Sequence, residues 1–169
     1  IKKFKNVEAY TLNLDNLFET FENSMKKFDS DHGMANSRAR LRMTTLYQVA
    51  AANKGIVVGT GNKVEDFGVG FYTKYGDGGV DISPIADCNK TDVWEMGKEL
   101  NILKEIIDAA PTDGLWDDGR TDEGQLGLKY SELEEAMNNI NSSNREKYEK
   151  IRKLNLHKME PIPVCKIPN

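Results

Sequence analysis

The densest chemical character in the chain lies in one run, Lys74-Tyr75-Gly76-Asp77-Gly78-Gly79-Val80-Asp81. Asp77-Gly78-Gly79 reads as a tight turn, with positive φ available at both glycines. Lys74 and Asp81 flank this bare stretch, so a ligand could approach the backbone closely with a charge on either side. A plain hairpin turn is the competing reading. Upstream, Thr60 and Glu65 stand just past a short β-branched run. A hydroxyl and a carboxylate there could meet a nucleotide and a hard cation, because magnesium favours one or two carboxylates plus phosphate oxygens. The same pair could instead open a capped helix. Arg38, Arg40 and Arg42 alternate at the expected start of a helix, where cations oppose the helix dipole. Arg38 and Arg42 share a face and Arg40 points away. Either a bound anion offsets the cost of that placement, or the arginines solvate a helix end.

Several chemistries find no support. His32 and His157 are the only histidines, and there is no HExxH, no paired Cys or His spacing and no GxSxG elbow, which leaves zinc and serine-hydrolase chemistry unsupported. Gly59-Thr60-Gly61 follows a strand-like run, but Val64 stands where a dinucleotide fingerprint needs its third glycine. No GxxxxGK[ST] phosphate loop occurs either. Cys88 and Cys165 are far apart and lack a ligand cluster; they read as free thiols of a reducing compartment.

These residues need elements to carry them. Val7 to Leu14 is rich in strand formers, and Asp15 is a plausible N-cap for a helix whose Leu17, Phe18, Phe21, Met25 and Phe28 share one face. A second helix is expected over 37–53, with Met43, Leu46, Tyr47, Ala50 and Ala51 as its apolar stripe and Gly55 as its stop. Ile56-Val57-Val58 reads as a strand buried on both faces of a parallel sheet. The glycine-rich stretch 60–87 reads mostly as loop, as does 111–127, with helices near 91–100 and 103–109 between them. Ser131 with Glu134, and Ser143 with Glu146, have capping-box spacing for two further helices; the tail from Met159 reads as extended. This order predicts an α/β fold: a Rossmann-like parallel sheet flanked by helices, with ligands outside the carboxyl ends of its strands.

The 169 residues suit one compact domain, and 38% hydrophobic with 30% charged residues fit a soluble globular protein. No run approaches the roughly 20 apolar residues of a membrane helix. Ile1-Lys2-Lys3-Phe4-Lys5 has no apolar region behind its lysines and does not read as a signal peptide. A net charge of -4 argues against nucleic acid as a partner. The chain begins with Ile1 rather than Met, and its first recognisable element is already a strand, so it reads as a portion of a longer protein.

Taken together the motifs go further. SRARLRM at 37–43, VVGTGNKVED at 57–66, GFYTKYGDGGVDISPI at 70–85, APTDGLW at 110–116, TDEGQLGL at 121–128 and HKMEPIP at 157–163 resemble the ammonia-dependent NAD synthetases, in family order from about residue 7 to the end. The resemblance implies an adenine-nucleotide α-hydrolase type of fold, incomplete at the N-terminus. It makes residues 1–169 the carboxy-terminal part of a single NAD synthetase domain. It also implies a cytoplasmic ligase that uses ATP, ammonia and Mg2+ to amidate deamido-NAD through an adenylated intermediate, releasing AMP and pyrophosphate. Carried over by position, Thr60, Lys90 and Thr112 resemble ATP contacts and Glu65 a magnesium ligand. Arg40, Lys74, Asp81, His157 and Lys158 resemble deamido-NAD contacts. The family's homodimer and the mobile loop at 112–127 are implied in the same way; Asp122 and Glu123 in that loop receive no role.

Two departures stand out. The run from Glu65 to Lys74 is one residue longer than the usual family form, which blurs the register near Phe67. The SGGxDS loop that cradles ATP phosphates does not occur in these 169 residues. The expectation is therefore that this chain by itself releases no AMP from ATP when given deamido-NAD and ammonia; turnover in that assay would overturn it. Two rival readings are a non-catalytic module that binds deamido-NAD without ATP or Mg2+, and a related adenylating enzyme such as a GMP synthetase. The latter lacks the KYGDGGxD run and the downstream His-Lys pair.

Overall fold

A computed structural model describes residues 4–167. Ile1, Lys2 and Lys3, part of the segment read as lacking a leader, lie outside the described residues. The chain divides into two compact units, Ile1–Met34 and Ala35–Asn169. Among the described residues no helix is long and apolar enough to cross a membrane.

In the first unit, Val7 to Leu14 is not a paired strand among the described residues. Val7, Tyr10 and Leu12 are all exposed. Strand formers make a strand only when a neighbour takes up their backbone N–H and C=O groups. Asn13 rather than Asp15 opens α1 (Asp15–Met25): its side-chain oxygen accepts from the Asp15 amide at 2.8 Å. A 3-10 turn over Lys26–Phe28 follows. Ser30 then starts α2 (Asp31–Ala52), its hydroxyl accepting from the Gly33 amide at 3.3 Å and its carbonyl from Met34 at 2.8 Å. The helix thus begins six residues before the expected Ser37. A satisfied orphan donor outweighs the poor propensity of Gly33. Arg38, Arg40 and Arg42 consequently lie in the body of α2, well past its first turn, and the helix-dipole argument for an anion there does not hold.

In the second unit, α2 ends on paired reverse bonds, Gly55 N to Ala50 O at 2.8 Å and Lys54 N to Ala51 O at 3.2 Å. The left-handed residue is Lys54 (φ 55°), not Gly55. A side chain in that region is strained by roughly 1–2 kcal/mol, against roughly 0.5–1 kcal/mol of extra chain entropy for glycine. Lys54→Gly is therefore expected to raise stability by about 0.5 kcal/mol, read as a higher denaturation midpoint; a lower midpoint contradicts it.

The expected parallel sheet is represented among the described residues by one isolated parallel bridge, Val58 to Ile82. Gly59 N bonds Ile82 O at 2.8 Å and Asp81 N bonds Val57 O at 2.9 Å. Val57 is buried, whereas Ile56 and Val58 are more than half exposed, so this segment is not covered on both faces. Among the described residues the pairing goes no further than this bridge.

The stretch expected to be loop after Thr60 holds a π-helical turn, Lys63–Val69. The buried Asn62 side chain caps it, accepting from the amides of Val64 and Glu65 at 3.0 Å each. The remaining helices are α3 (Lys90–Glu99), α4 (Lys104–Ile107), α5 (Asp122–Leu126), α6 (Tyr130–Asn138) and α7 (Arg145–Met159). Neither expected capping box forms as read. The Lys129 amide bonds Glu132 at 2.7 Å, while Glu134 accepts from the Thr91 amide and hydroxyl at 3.0 and 2.7 Å. Ser142, not Ser143, bonds at the approach to α7, its hydroxyl accepting from the Asn144 amide at 3.1 Å, and the helix start has no side-chain cap. The core joins Val64 and Val69 of the π turn to Leu126, Leu128, Tyr130, Leu133, Ala136 and Tyr148. This core fixes the π turn against α6 and α7, and so fixes Glu65.

Candidate functional site

Glu65 leaves the π turn toward the start of α3. Its Oε1 accepts from Lys90 Nζ at 2.9 Å, with only 15% and 18% of the two side chains exposed. The same oxygen takes a short hydrogen bond from the Tyr130 hydroxyl. The Lys90 ammonium also lies 4.9 Å from the centre of the Tyr130 ring, a favourable cation–π distance. Asp122 Oδ2 is 3.1 Å from the same hydroxyl, and the buried Asp122 Oδ1 has no hydrogen-bond partner. Two carboxylates, one ammonium and one phenol therefore meet in a pocket that largely excludes water. Burial first, then Glu65 and Asp122, pushes the Tyr130 hydroxyl well above its ordinary pKa. Burial likewise raises Asp122, against the Tyr130 hydrogen bond, which lowers it.

A second patch lies where α7 meets the carbonyls that follow the π turn. Lys158 Nζ donates to Gly70 O and Tyr72 O at 2.9 and 2.8 Å, and Tyr72 OH returns a bond to Lys158 O at 2.6 Å. Arg152 and Asn155 hold Gly68 O and Val69 O at 2.7 and 3.0 Å. Lys74 Nζ donates to His157 O at 2.6 Å, and Arg40 reaches Lys74 O at 3.3 Å. Burial lowers the Lys158 pKa, opposed by Asp77. The KYGDGG run between these contacts turns differently from the expectation. Tyr75 takes the left-handed conformation (φ 61°), and neither Gly78 nor Gly79 has positive φ. Gly78 is required for space instead: a Cβ there would lie 2.4 Å from the Tyr72 ring.

A cavity of about 440 Å3 opens between α2 and the Val57–Thr60 segment, walled by Met43, Leu46, Val57, Thr60, Val80 and Leu115. Asp81 braces this wall, its Oδ2 accepting from the Val57 amide at 2.7 Å. One loop of the wall is tied to α2 by two arginines: Arg38 bonds Leu115 O at 2.7 Å and Arg42 bonds Gly114 O at 2.9 Å. Thr112 adjoins it, donating to Arg120 O at 3.1 Å.

The expected residues therefore fall into three groups. Glu65 and Lys90 pair directly. Arg40, Lys74, His157 and Lys158 form one connected patch, joined to Glu65 by the π turn. Thr60 and Asp81 belong to the cavity wall, and Thr112 to the adjoining loop. The sequence reading gives Tyr130 no place and leaves Asp122, named in the 112–127 loop, without a role. A lone Tyr among apolar helix positions carries no signal, but Thr121-Asp122-Glu123 followed by Tyr130 is a polar cluster on otherwise core-facing elements, and that could have flagged it.

The family model described as NAD synthase matches residues 1–167. The NH(3)-dependent NAD(+) synthetase of Carboxydothermus hydrogenoformans is 41% identical over 133 residues, covering 76% of this chain and 54% of that protein. The chain spans about half the length of the curated relatives it matches. Among solved structures, that of the NMN synthetase from Francisella tularensis superposes with a TM-score of 0.88 at 34% identity, covering 96% of this chain and 68% of that one. The NH3-dependent NAD synthetase of Campylobacter jejuni shares the fold, with a TM-score of 0.72, 20% identity, and coverage of 95% and 67%.

Proposed function

The chain belongs to the NAD synthase family, and on that premise we propose that it forms the pyridine-nucleotide and metal-binding part of an ATP-dependent amide ligase. Its substrate in this reading is deamido-NAD, whose nicotinate carboxylate is activated by ATP and aminated by ammonia. NAD, AMP and pyrophosphate are the products, and the working form is a cytoplasmic homodimer. The observation that carries the reading is the π turn. It presents Glu65 to Lys90 on one side, and on the other leads into the backbone held by Lys158 and, through the KYGDGG run, into Lys74 and Arg40. Residues far apart in sequence thus converge on adjacent patches of opposite character.

The donor set fits magnesium. Glu65 offers a hard carboxylate oxygen and Asp122 an orphaned buried one. Such a site suits a cation that takes most of its ligands from phosphate and water. When bound, magnesium would offset phosphate charge as the carboxylate attacks phosphorus. Lys90 would leave Glu65 for a phosphate oxygen, as Thr60 and Thr112 hold the nucleotide from the cavity rim. Arg40, Lys74, Asp81, His157 and Lys158 would hold the pyridine nucleotide.

The Francisella resemblance supports a second reading in which the pyridine substrate is a mononucleotide, because that superposition is the higher of the two. Calorimetry with the 169-residue chain separates the readings. Tighter binding of deamido-NAD than of nicotinate mononucleotide supports the first and the reverse order the second; binding of neither sinks both. Within the first reading, Asp81→Ala is expected to weaken deamido-NAD more than ATP. Removing the carboxylate also frees the Val57 amide, which lowers stability by about 1–3 kcal/mol whichever ligand is present, so the two affinities are compared on the folded variant. Equal losses for both ligands count against the assignment.

A further inference from the structure

We propose that Tyr130 is a positioning residue for the nucleotide end of the site: one buried phenol sets both the Glu65 carboxylate and the Lys90 ammonium. This rests on the reading of Glu65 as a metal ligand and Lys90 as a phosphate contact. Tyr130 is fully buried and fixed from three directions. Its ring meets Trp94 edge-on at 5.9 Å. Its backbone amide donates to Glu123 at 2.9 Å. It is also the first residue of α6, packed into the core with Val64 and Val69 of the π turn that carries Glu65.

A Glu–Lys pair alone holds two long, flexible side chains in one geometry at an entropic cost. Tyr130 supplies what the pair lacks. Its hydroxyl donates to the Glu65 oxygen that also receives Lys90, and its ring face lies under the ammonium at 4.9 Å. If a phosphate draws Lys90 away, Glu65 keeps the phenolic hydrogen bond and stays aimed at the place where a cation would sit. Tyr130 thereby decouples the order of the carboxylate from the presence of its lysine. Outer-shell hydrogen bonds of this type commonly change metal affinity by about 10–100-fold.

The test compares Tyr130→Phe with Tyr148→Phe in the 169-residue chain. Tyr148 is a second buried core tyrosine, whose hydroxyl donates to Gly68 O at 3.3 Å, a carbonyl that Arg152 also holds. ATP affinity is measured by calorimetry with magnesium and with EDTA. Tyr130→Phe is expected to lose about tenfold of the magnesium-dependent part, to leave metal-free ATP binding unchanged, and to add nothing once Glu65 is already Gln. Tyr148→Phe should lower stability and change the magnesium-dependent affinity less than Tyr130→Phe does. Equal losses with and without magnesium, or none, overturn the proposal while the site reading stands. If magnesium does not strengthen ATP binding to the unmodified chain, or Glu65→Gln binds like it, the site reading fails and the proposal with it.

Discussion

Glu65→Ala is expected to cost the folded protein about 3 kcal/mol, because removing one partner of a buried pair leaves the other charge uncompensated. Lys90 is only 18% exposed at its side chain, so water can replace the lost carboxylate only partly. The Tyr130 hydroxyl loses its short bond at the same time and has only Asp122, at 3.1 Å, as an alternative acceptor. Lys90→Met is expected to cost less, since Glu65 then keeps the phenolic hydrogen bond. The double variant Glu65→Gln with Lys90→Met should cost less than the sum of its parts, because no unpaired charge remains. The exposed pair Lys98–Glu95, with side chains 56% and 69% open to solvent, provides the contrast: Lys98→Ala should change stability by less than about 0.5 kcal/mol. Urea denaturation decides the matter. If Glu65→Ala falls within about 1 kcal/mol of the unmodified chain, the pocket is wetter than its burial implies.

Element positions were legible in the sequence wherever periodicity or capping chemistry was strong. The apolar stripe from Met43 to Ala51 placed the body of α2, and the predicted helices near 91–100 and 103–109 coincide closely with α3 and α4. The start of α2 was misplaced because Gly33 and Asn36 look like breakers in isolation, whereas the Ser30 cap carries the helix through both. The π turn was missed for a related reason. Its stabilisation comes from Asn62, a polar residue buried inside a glycine-rich stretch, and no apolar period marks it. A sheet could be inferred from Val7–Leu14 and Ile56–Val58 only as a propensity, since pairing depends on a neighbour that lies far away in sequence or elsewhere.

Legibility of the site divided along a physical line. Charged residues beside glycines or turn signals, such as Lys74, Asp81 and Glu65, announced themselves through their local setting. Tyr130 did not, because its contribution depends on three-dimensional convergence: α3, α6 and the π turn each contribute one group to the same few ångströms. The bonds of Lys158 were equally invisible. Its ammonium is held by two backbone carbonyls, Gly70 O and Tyr72 O, and carbonyl partners leave no trace in residue identity. Lys158 is thereby a clamp on the backbone that follows the π turn, and a pyridine nucleotide in the proposed site would have to compete with those carbonyls for it.

The acid–base balance around Asp66 leads to the second large effect. The Asp66 carboxylate sits so close to Gly61 that a Cβ there would lie 1.9 Å from its Oδ2. Burial first, then repulsion from Glu65 and Asp77, pushes its pKa from 3.8 up to about 7. Between those values the unfolded chain has released this proton and the folded protein has kept it. Stability is therefore highest below about pH 4 with respect to this group, and falls as pH rises toward 7. At about 1.4 kcal/mol per unit of pH, the full displacement is worth on the order of 4 kcal/mol, and partial solvent access reduces that to roughly 2–3 kcal/mol. Asp66→Asn keeps the shape and removes the charge. In buffer free of divalent cations it should be more stable than the unmodified chain at pH 8 by about that amount, and the two should converge near pH 4. Melting curves across pH 4 to 8 test this. A cation bound at Glu65 would offset the same repulsion, so magnesium added at pH 8 should stabilise the unmodified chain more than Asp66→Asn. Parallel pH profiles for the two proteins would show that Asp66 is solvated rather than pressed against its acidic neighbours.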